Sequence, residues 1–357
     1  MGQPAAEAYG GVNPLGQRIA QLIAAHGPIT IAEFVALANE AYYATRDPLG
    51  RAGDFITAPE ISQVFGELLG LWIVQAWHDQ GRPRDKRLVE LGPGRGTLMA
   101  DALRAARVAP EFLDGLEIVL VEASPPLRAL QAERVPGARW VQRFDESLTD
   151  RPLFLLANEF FDALPIRQFV KTARGWRERM VTTDAGDVLS FALSPLPIPP
   201  PPGREQVPEG GVYEVCPAAL ALTSEIARTI NGQGGAALIV DYGYDRPDFG
   251  ETLQAVSRHG FADVLAQPGE SDLSAHVDFS ALAVAASAAA VHGPVSQGAF
   301  LEDLGIAQRI ARLAGADPGA ASSLRSGADR LTNPEEMGTL FKVLAILPKT
   351  APLPPGF

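Results

Sequence analysis

The chain has 357 residues, 46% hydrophobic and 20% charged, the balance of a globular protein with room for one sizeable domain plus additions or for two. Its 42 acidic and 30 basic side chains leave a net charge of −12 with no cluster of cations, so nucleic acid is not the expected partner. One cysteine, Cys216, excludes an internal disulfide and a cysteine zinc cluster, and the five histidines lack metal-ligand spacing, so no metal is expected.

In chain order, Leu15 to Ala25 reads as an amphipathic helix with Leu15, Ile19, Leu22 and Ile23 on one face. Thr30 and Glu33 form a capping box that starts a second helix, Ile31 to Ala41. Asp47 to Ser62 has almost no periodicity and carries two aspartates among glycine and proline, as either a site-lining loop or a plain interdomain loop does. Ser62 to Trp77 follows as a strongly apolar helix.

Leu88, Val89 and Leu91 then form a short buried strand, Gly92, Gly94 and Gly96 break it, and helical spacing resumes from Thr97 to Arg104. Strand, glycine loop and helix together make an entrance for a nucleotide cofactor, with Thr97 placed to cap the helix, although an ordinary turn has the same local pattern. Glu117 to Glu122 is a second strand ending in an acid, where a doubly wound sheet holds a ribose diol. That acid suits NAD and S-adenosylmethionine equally. Glu90 separates them, because a carboxylate two residues before Gly92 repels a pyrophosphate but suits a sulfonium and an amino group. The string from Glu90 to Thr97 looks like the first motif of S-adenosylmethionine-dependent methyltransferases.

Arg139 to Val141 is a third strand, with Asp145 after it where an acid can meet the adenine amino group or simply hold a turn. Leu153 to Ala157 is the fourth, and it runs into Asn158 to Pro165, rich in chemistry and set where open α/β sheets bind ligands. Arg167 to Leu193 alternates as an antiparallel excursion, and Leu196 to Pro202 reads as a stiff proline connector. A helix runs from Pro217 to Ile230, and Ala236 to Asp241 is the fifth core strand with Tyr242 at its rim. Ser271 to Phe279 is a polar loop holding His276 and Asp278, helices continue to about Leu331, and Phe341 to Leu347 closes the sheet. The longest apolar run, Ala281 to Val291, is too short to span a membrane and reads as a packed helix. Met1 to Arg18 shows neither a secretory nor an organellar pattern, so the cytoplasm is the expected compartment. The expected architecture is a doubly wound, Rossmann-like α/β sheet over residues 81–357, with inserts at about 167–212 and 270–331, preceded by a helical addition and substrate-side loop over 1–80.

Several of these stretches together resemble one family. Gly53 to Ser62, Phe65 to Gly70, Glu90 to Thr97, Asn158 to Pro165, Glu214 to Pro217, Asp241 to Gly243, Ser271 to Phe279 and Asn333 to Gly338 are similar to the MidA family, which includes a mitochondrial methyltransferase required for assembly of respiratory complex I. The resemblance spans nearly the whole chain and implies a class I methyltransferase sheet and S-adenosyl-L-methionine as cofactor. The cofactor contacts expected are Glu90, Gly92, Gly94, Gly96, Thr97, Glu122, Asp145 and Asn158. The resemblance also implies symmetric dimethylation of a protein arginine, with a complex I subunit as partner. On it, Asp54, Thr57, Glu60, Asp241 and Tyr242 shape the substrate mouth.

Elementary chemistry supports an arginine acceptor. A guanidinium has a pKa above about 12, and removing its proton fully at pH 7 costs at least roughly 7 kcal/mol. Holding it between carboxylates localises its charge and gives the proton somewhere to go as the bond forms. Glu159 and Asp162 are the expected pair, with His276 and Asp278 as further candidates for proton removal. The competing readings are helix capping by Asp162 ahead of Pro165 and a capping or loop-holding role for His276 and Asp278. At the level of function the alternatives are a small-molecule methyltransferase and a cofactor-binding assembly factor without turnover.

Overall fold

The run Lys86–Leu91 is a strand buried along its whole length, β1, and its neighbouring residues serve opposite faces. Leu88 packs into one apolar cluster and Val89 into another, as the period of two along a strand requires. In this computed structural model, residues 13–45, 57–184, 186–201, 207–246, 249–257 and 260–357 are described.

Seven further strands join β1: the short Val277–Asp278, which pairs parallel to Gly243 and Tyr244 off the main path, and six that lie along that path. The six are β2 (Leu116–Val121), β3 (Arg139–Val141), β4 (Leu153–Asn158), β5 (Gly235–Tyr244), β6 (Ala290–Ser296) and β7 (Phe341–Leu347). The spatial order along the path is β6-β7-β5-β4-β1-β2-β3. From β3 to β5 the pairing is parallel, whereas β7 runs antiparallel against both β5 and β6. The central strands are apolar on both sides because helices cover both faces. Helices α1 (Gln63–Asp79) and α2 (Thr97–Ala106) bring Phe65, Leu69, Trp72 and Met99 to the Leu88 face. Helix α4 (Pro217–Gln233), which follows α3 (Pro125–Arg134) in the chain, brings Ile226, Ala227 and Ile230 to the Val89 face. Each large apolar side chain enclosed in this way contributes about 1.5–3 kcal/mol. The strand order reverses between β1 and β4, so the carboxyl ends of these two strands border a crevice.

Two sequence expectations are corrected here. Ala281 to Val291 is not one helix: helix α5 (Phe279–Ala285) ends, and β6 starts at Ala290. Val291 and Val295 favour a pleated strand, and Gly293 with Pro294 cannot continue a helix. The proline run is likewise no simple connector, since Leu189–Ile198 is a strand containing Pro195 and Pro197. It pairs only with the strand Gly175–Thr183, and an edge strand tolerates a missing N–H.

The compact units also part differently from the expected boundary near residue 80. Residues 1–42, 165–214 and 249–273 form one unit, and 43–164, 215–248 and 274–357 the other. Helix α1 therefore belongs with the large sheet, because its buried face packs into the same cluster as Leu88 and Phe154. In the smaller unit the helix Pro14–His26 precedes the helix Ile31–Thr45, whose start is fixed by the expected capping box. Thr30 N–H donates to Glu33 Oε2 at 2.7 Å and Glu33 N–H returns a bond to Thr30 Oγ1 at 3.1 Å.

Candidate active site

Beyond β1 the chain turns through Gly92, Gly94 and Gly96 with φ of 58°, 53° and 81°. A Cβ on Gly92 would stand 2.8 Å from Phe160 Cδ2, so this turn has no room for a side chain. Gly96, not Thr97, is the N-cap of α2. The Thr97 hydroxyl instead donates to Glu60 Oε1 at 2.5 Å. Glu90, near the end of β1, is 3% exposed. Burial pushes its carboxyl up to about 8, against the hydrogen bond from Met99 N–H and with the nearby charge of Glu122 adding to the rise. Its Oε2 is buried without a hydrogen-bond partner.

Glu122 follows β2, and its Oε1 accepts the N–H of Ser124 at 2.8 Å. Burial raises its pKa, opposed by the hydrogen bonds from Ser124 and Gln131. Asp145 has a local task, accepting Ser147 N–H at 2.9 Å to start the turn Glu146–Leu148, and the hydrogen bonds from the Ser147 hydroxyl and N–H lower its pKa.

The end of β4 carries the acids. Asn158 Nδ2 donates to Glu159 Oε1 at 3.0 Å, and Asn158 Oδ1 is buried without a partner. The same Glu159 oxygen accepts Ala58 N–H at 3.1 Å, from the first turn of the short helix Ala58–Ile61. Burial pushes the Glu159 carboxyl up to about 7, with Asp162's charge adding and Arg330's charge opposing. Glu159 has φ of 50°, a left-handed conformation that costs a non-glycine residue of order 1 kcal/mol. Such strain at a carboxylate facing a crevice points to a function for the side chain.

Asp162 does not cap a helix, because none begins at Pro165. It accepts the Tyr242 hydroxyl at Oδ2, 2.5 Å away, and its Oδ1 is buried without a partner. Burial pushes it up to about 6 although the Tyr242 bond pulls the other way.

Three expected roles are revised. Asp241 is fully buried. Its Oδ2 gathers the N–H groups of Phe160, Phe161 and Asp162 at 2.9–3.2 Å, and its Oδ1 accepts that of Tyr242 at 3.0 Å, so it holds the acid-bearing loop in place. Asp278 is the N-cap of α5, bonded to Ala281 N–H at 2.9 Å and to the Ser280 hydroxyl at 2.5 Å. Tyr242 reaches the site through Asp162, and its ring meets those of His276 and Phe341 edge-on at 5.6 and 5.5 Å. His276 is thus brought beside the acid pair. Thr57 lies at the N-cap of the Ala58–Ile61 helix without a side-chain bond to it, and Asp54 lies outside the described residues.

Sequence reasoning missed Ala58 N–H, Arg330 and Gln131. Each is brought in by packing, and no local pattern marks it. Among the described residues no group of three or more His, Cys, Asp and Glu could hold a metal, and no helix is long and apolar enough to cross a membrane.

Around the glycine turn the buried oxygens without a hydrogen-bond partner include Glu90 Oε2 and Asn158 Oδ1, and the Glu122 carboxylate follows the end of β2. Such a set matches the ammonium, sulfonium and ribose hydroxyls of S-adenosylmethionine and mismatches a pyrophosphate. Fold and site together define a class I S-adenosylmethionine-dependent methyltransferase.

Residues 68–295 match a family described as "Putative S-adenosyl-L-methionine-dependent methyltransferase". The mitochondrial protein arginine methyltransferase NDUFAF7 of Mus musculus is 41% identical over 372 residues, covering 94% of this chain and 85% of that protein. The Homo sapiens protein of the same name is 40% identical over 371 residues, with 94% and 84% covered. A "likely methyl transferase" from Burkholderia thailandensis, solved with S-adenosyl-homocysteine bound, is similar with a TM-score of 0.83 at 29% identity, covering 95% of this chain and 93% of that one. The chain belongs to this methyltransferase family, and its cofactor is S-adenosyl-L-methionine.

Proposed function

We propose that the chain methylates an arginine nitrogen of a protein, with Glu159 and Asp162 as the acids that receive the guanidinium. The observation that carries this reading is the strained Glu159 at the carboxyl end of β4, three residues from a second buried carboxyl that has one oxygen unpartnered. The names of the curated relatives support it, since they are protein arginine methyltransferases.

Bound S-adenosylmethionine supplies an electrophilic methyl group on a sulfonium. Glu90, Glu122, Asn158 and the glycine turn hold it, Thr97 braces the turn from the helix, and Asp145 borders the adenine end. Glu159 localises the guanidinium charge and turns one nitrogen towards the methyl. As the carbon–nitrogen bond forms, the methyl's bond to sulfur would break and leave a neutral thioether, and the nitrogen's proton passes to Glu159, whose pKa near 7 lets it accept and release a proton at neutral pH. Asp162, restrained by Tyr242, supports the second edge of the guanidinium, with His276 behind it. Thr57 and Glu60 line the approach.

On the family resemblance the acceptor is a respiratory complex I subunit and the product is symmetrically dimethylated. The curated relatives are named mitochondrial. The test is incubation with labelled S-adenosylmethionine and lysate from source cells, followed by mass spectrometry. Methylarginine on a protein is expected. Label found only in small molecules would overturn the proposal.

A further inference from the structure

Gln131 on α3 is completely buried, an unusual place for a side-chain amide. Its Nε2 donates to the carbonyl of Gly94 at 2.7 Å and to Glu122 Oε2 at 3.3 Å. Its Oε1 accepts from Trp140 Nε1 on β3 at 2.8 Å. An indole N–H only donates, so the amide oxygen must face Trp140 and the NH2 must face the glycine turn and Glu122. The side chain also packs against Gly96, where a Cβ would meet Gln131 Cγ at 3.4 Å. One side chain thus spans the two segments assigned above to the cofactor, the turn after β1 and the acid after β2.

We infer that Gln131 is the positioning residue that aims the Glu122 carboxylate at the ribose hydroxyls of the cofactor and sets its distance from the glycine turn. Glu122 also has the Ser124 N–H on its other oxygen, so the two donors together leave it one orientation. Without Gln131 the carboxylate keeps its tether to Ser124 but loses the bond that fixes its second oxygen. Recognition of the diol should suffer more than recognition of the rest of the ligand. The inference rests on the assignment of Glu122 to the ribose.

The experiment compares S-adenosylhomocysteine with its 2′-deoxyadenosyl counterpart by calorimetry on wild type and Gln131→Met, a change that keeps length and apolar packing. Wild type should bind the deoxy compound about thirtyfold more weakly, the scale of a lost hydrogen bond to a charged group. In Gln131→Met that ratio should fall below about fivefold, whereas a merely loosened fold would weaken both ligands and preserve the ratio. If Gln131→Met does not fold, Trp140→Phe decides the matter, because it leaves Gln131 in place and frees its amide to turn over; the ratio should again shrink. An unchanged ratio in the folded variant overturns the role of Gln131 alone. Equal binding of both compounds by wild type overturns the ribose assignment of Glu122, and the inference with it.

Discussion

The Tyr242 hydroxyl donates to Asp162 Oδ2 at 2.5 Å, on a carboxyl whose other oxygen is buried and unpartnered. That bond stabilises the ionised form of Asp162 against burial. In Tyr242→Phe the carboxyl should titrate higher than its present value of about 6. The acidic limb of kcat against pH should move up by about one unit, because the anion is then reached only at higher pH. A limb that stays in place would remove Asp162 from the ionisations that matter.

Glu159→Gln keeps the shape that accepts Ala58 N–H but removes the anion. Cofactor affinity should be nearly retained while single-turnover methyl transfer falls about a hundredfold, roughly 3 kcal/mol. Glu159→Gly tests the strain separately. Relief of the left-handed conformation should raise stability by about 1 kcal/mol, read as a higher Tm, while activity is lost. If glycine lowers the Tm and glutamine leaves turnover intact, Glu159 is a structural residue.

Glu90 links cofactor binding to protons. Its folded pKa of about 8 lies above the ordinary 4.5, so the folded state holds a proton that the unfolded chain has released. Stability from this group therefore falls as pH rises from about 4.5 through 8. Thermal unfolding between pH 5 and 8.5 should show a shallower decline in Glu90→Gln than in wild type. A cationic ligand reverses the balance and favours the carboxylate. S-adenosylmethionine binding at pH 7 should release close to one proton, measured as a dependence of calorimetric heat on buffer ionisation enthalpy, and Glu90→Gln should abolish that dependence.

Gly94→Val places a β-branched residue at φ of 53° inside the turn. Calorimetry should detect no S-adenosylmethionine binding, and circular dichroism should show the fold kept, since the turn lies outside both apolar clusters. Affinity equal to wild type would remove the glycine turn from the cofactor site.

Much of the sheet was legible because strand ends coincide with punctuation. Glu90 and the glycines mark the end of β1, Glu122 that of β2, and the acids after Ala157 that of β4. The Thr30 and Glu33 capping box was legible for the same reason, being a bond between residues three apart. β6 was hidden in an alanine-rich stretch, because alanine favours a helix and only the open edge of β7 makes Ala290–Ser296 a strand.

By itself the sequence determined which residue types lie at the strand ends, and hence the cofactor class, since an acid before a glycine turn and an acid after the next strand are local facts of charge and backbone freedom. Only the tertiary structure decided what each acid does. Asp241, Asp278 and Glu159 are all carboxylates next to element ends, yet one gathers backbone amides, one caps a helix, and one stands strained at the crevice. That division depends on donors from remote parts of the chain, Ala58 for Glu159 and Phe160 to Asp162 for Asp241, and on burial that raises the pKa of Glu159 and of Asp241. Distance in sequence carries no record of either.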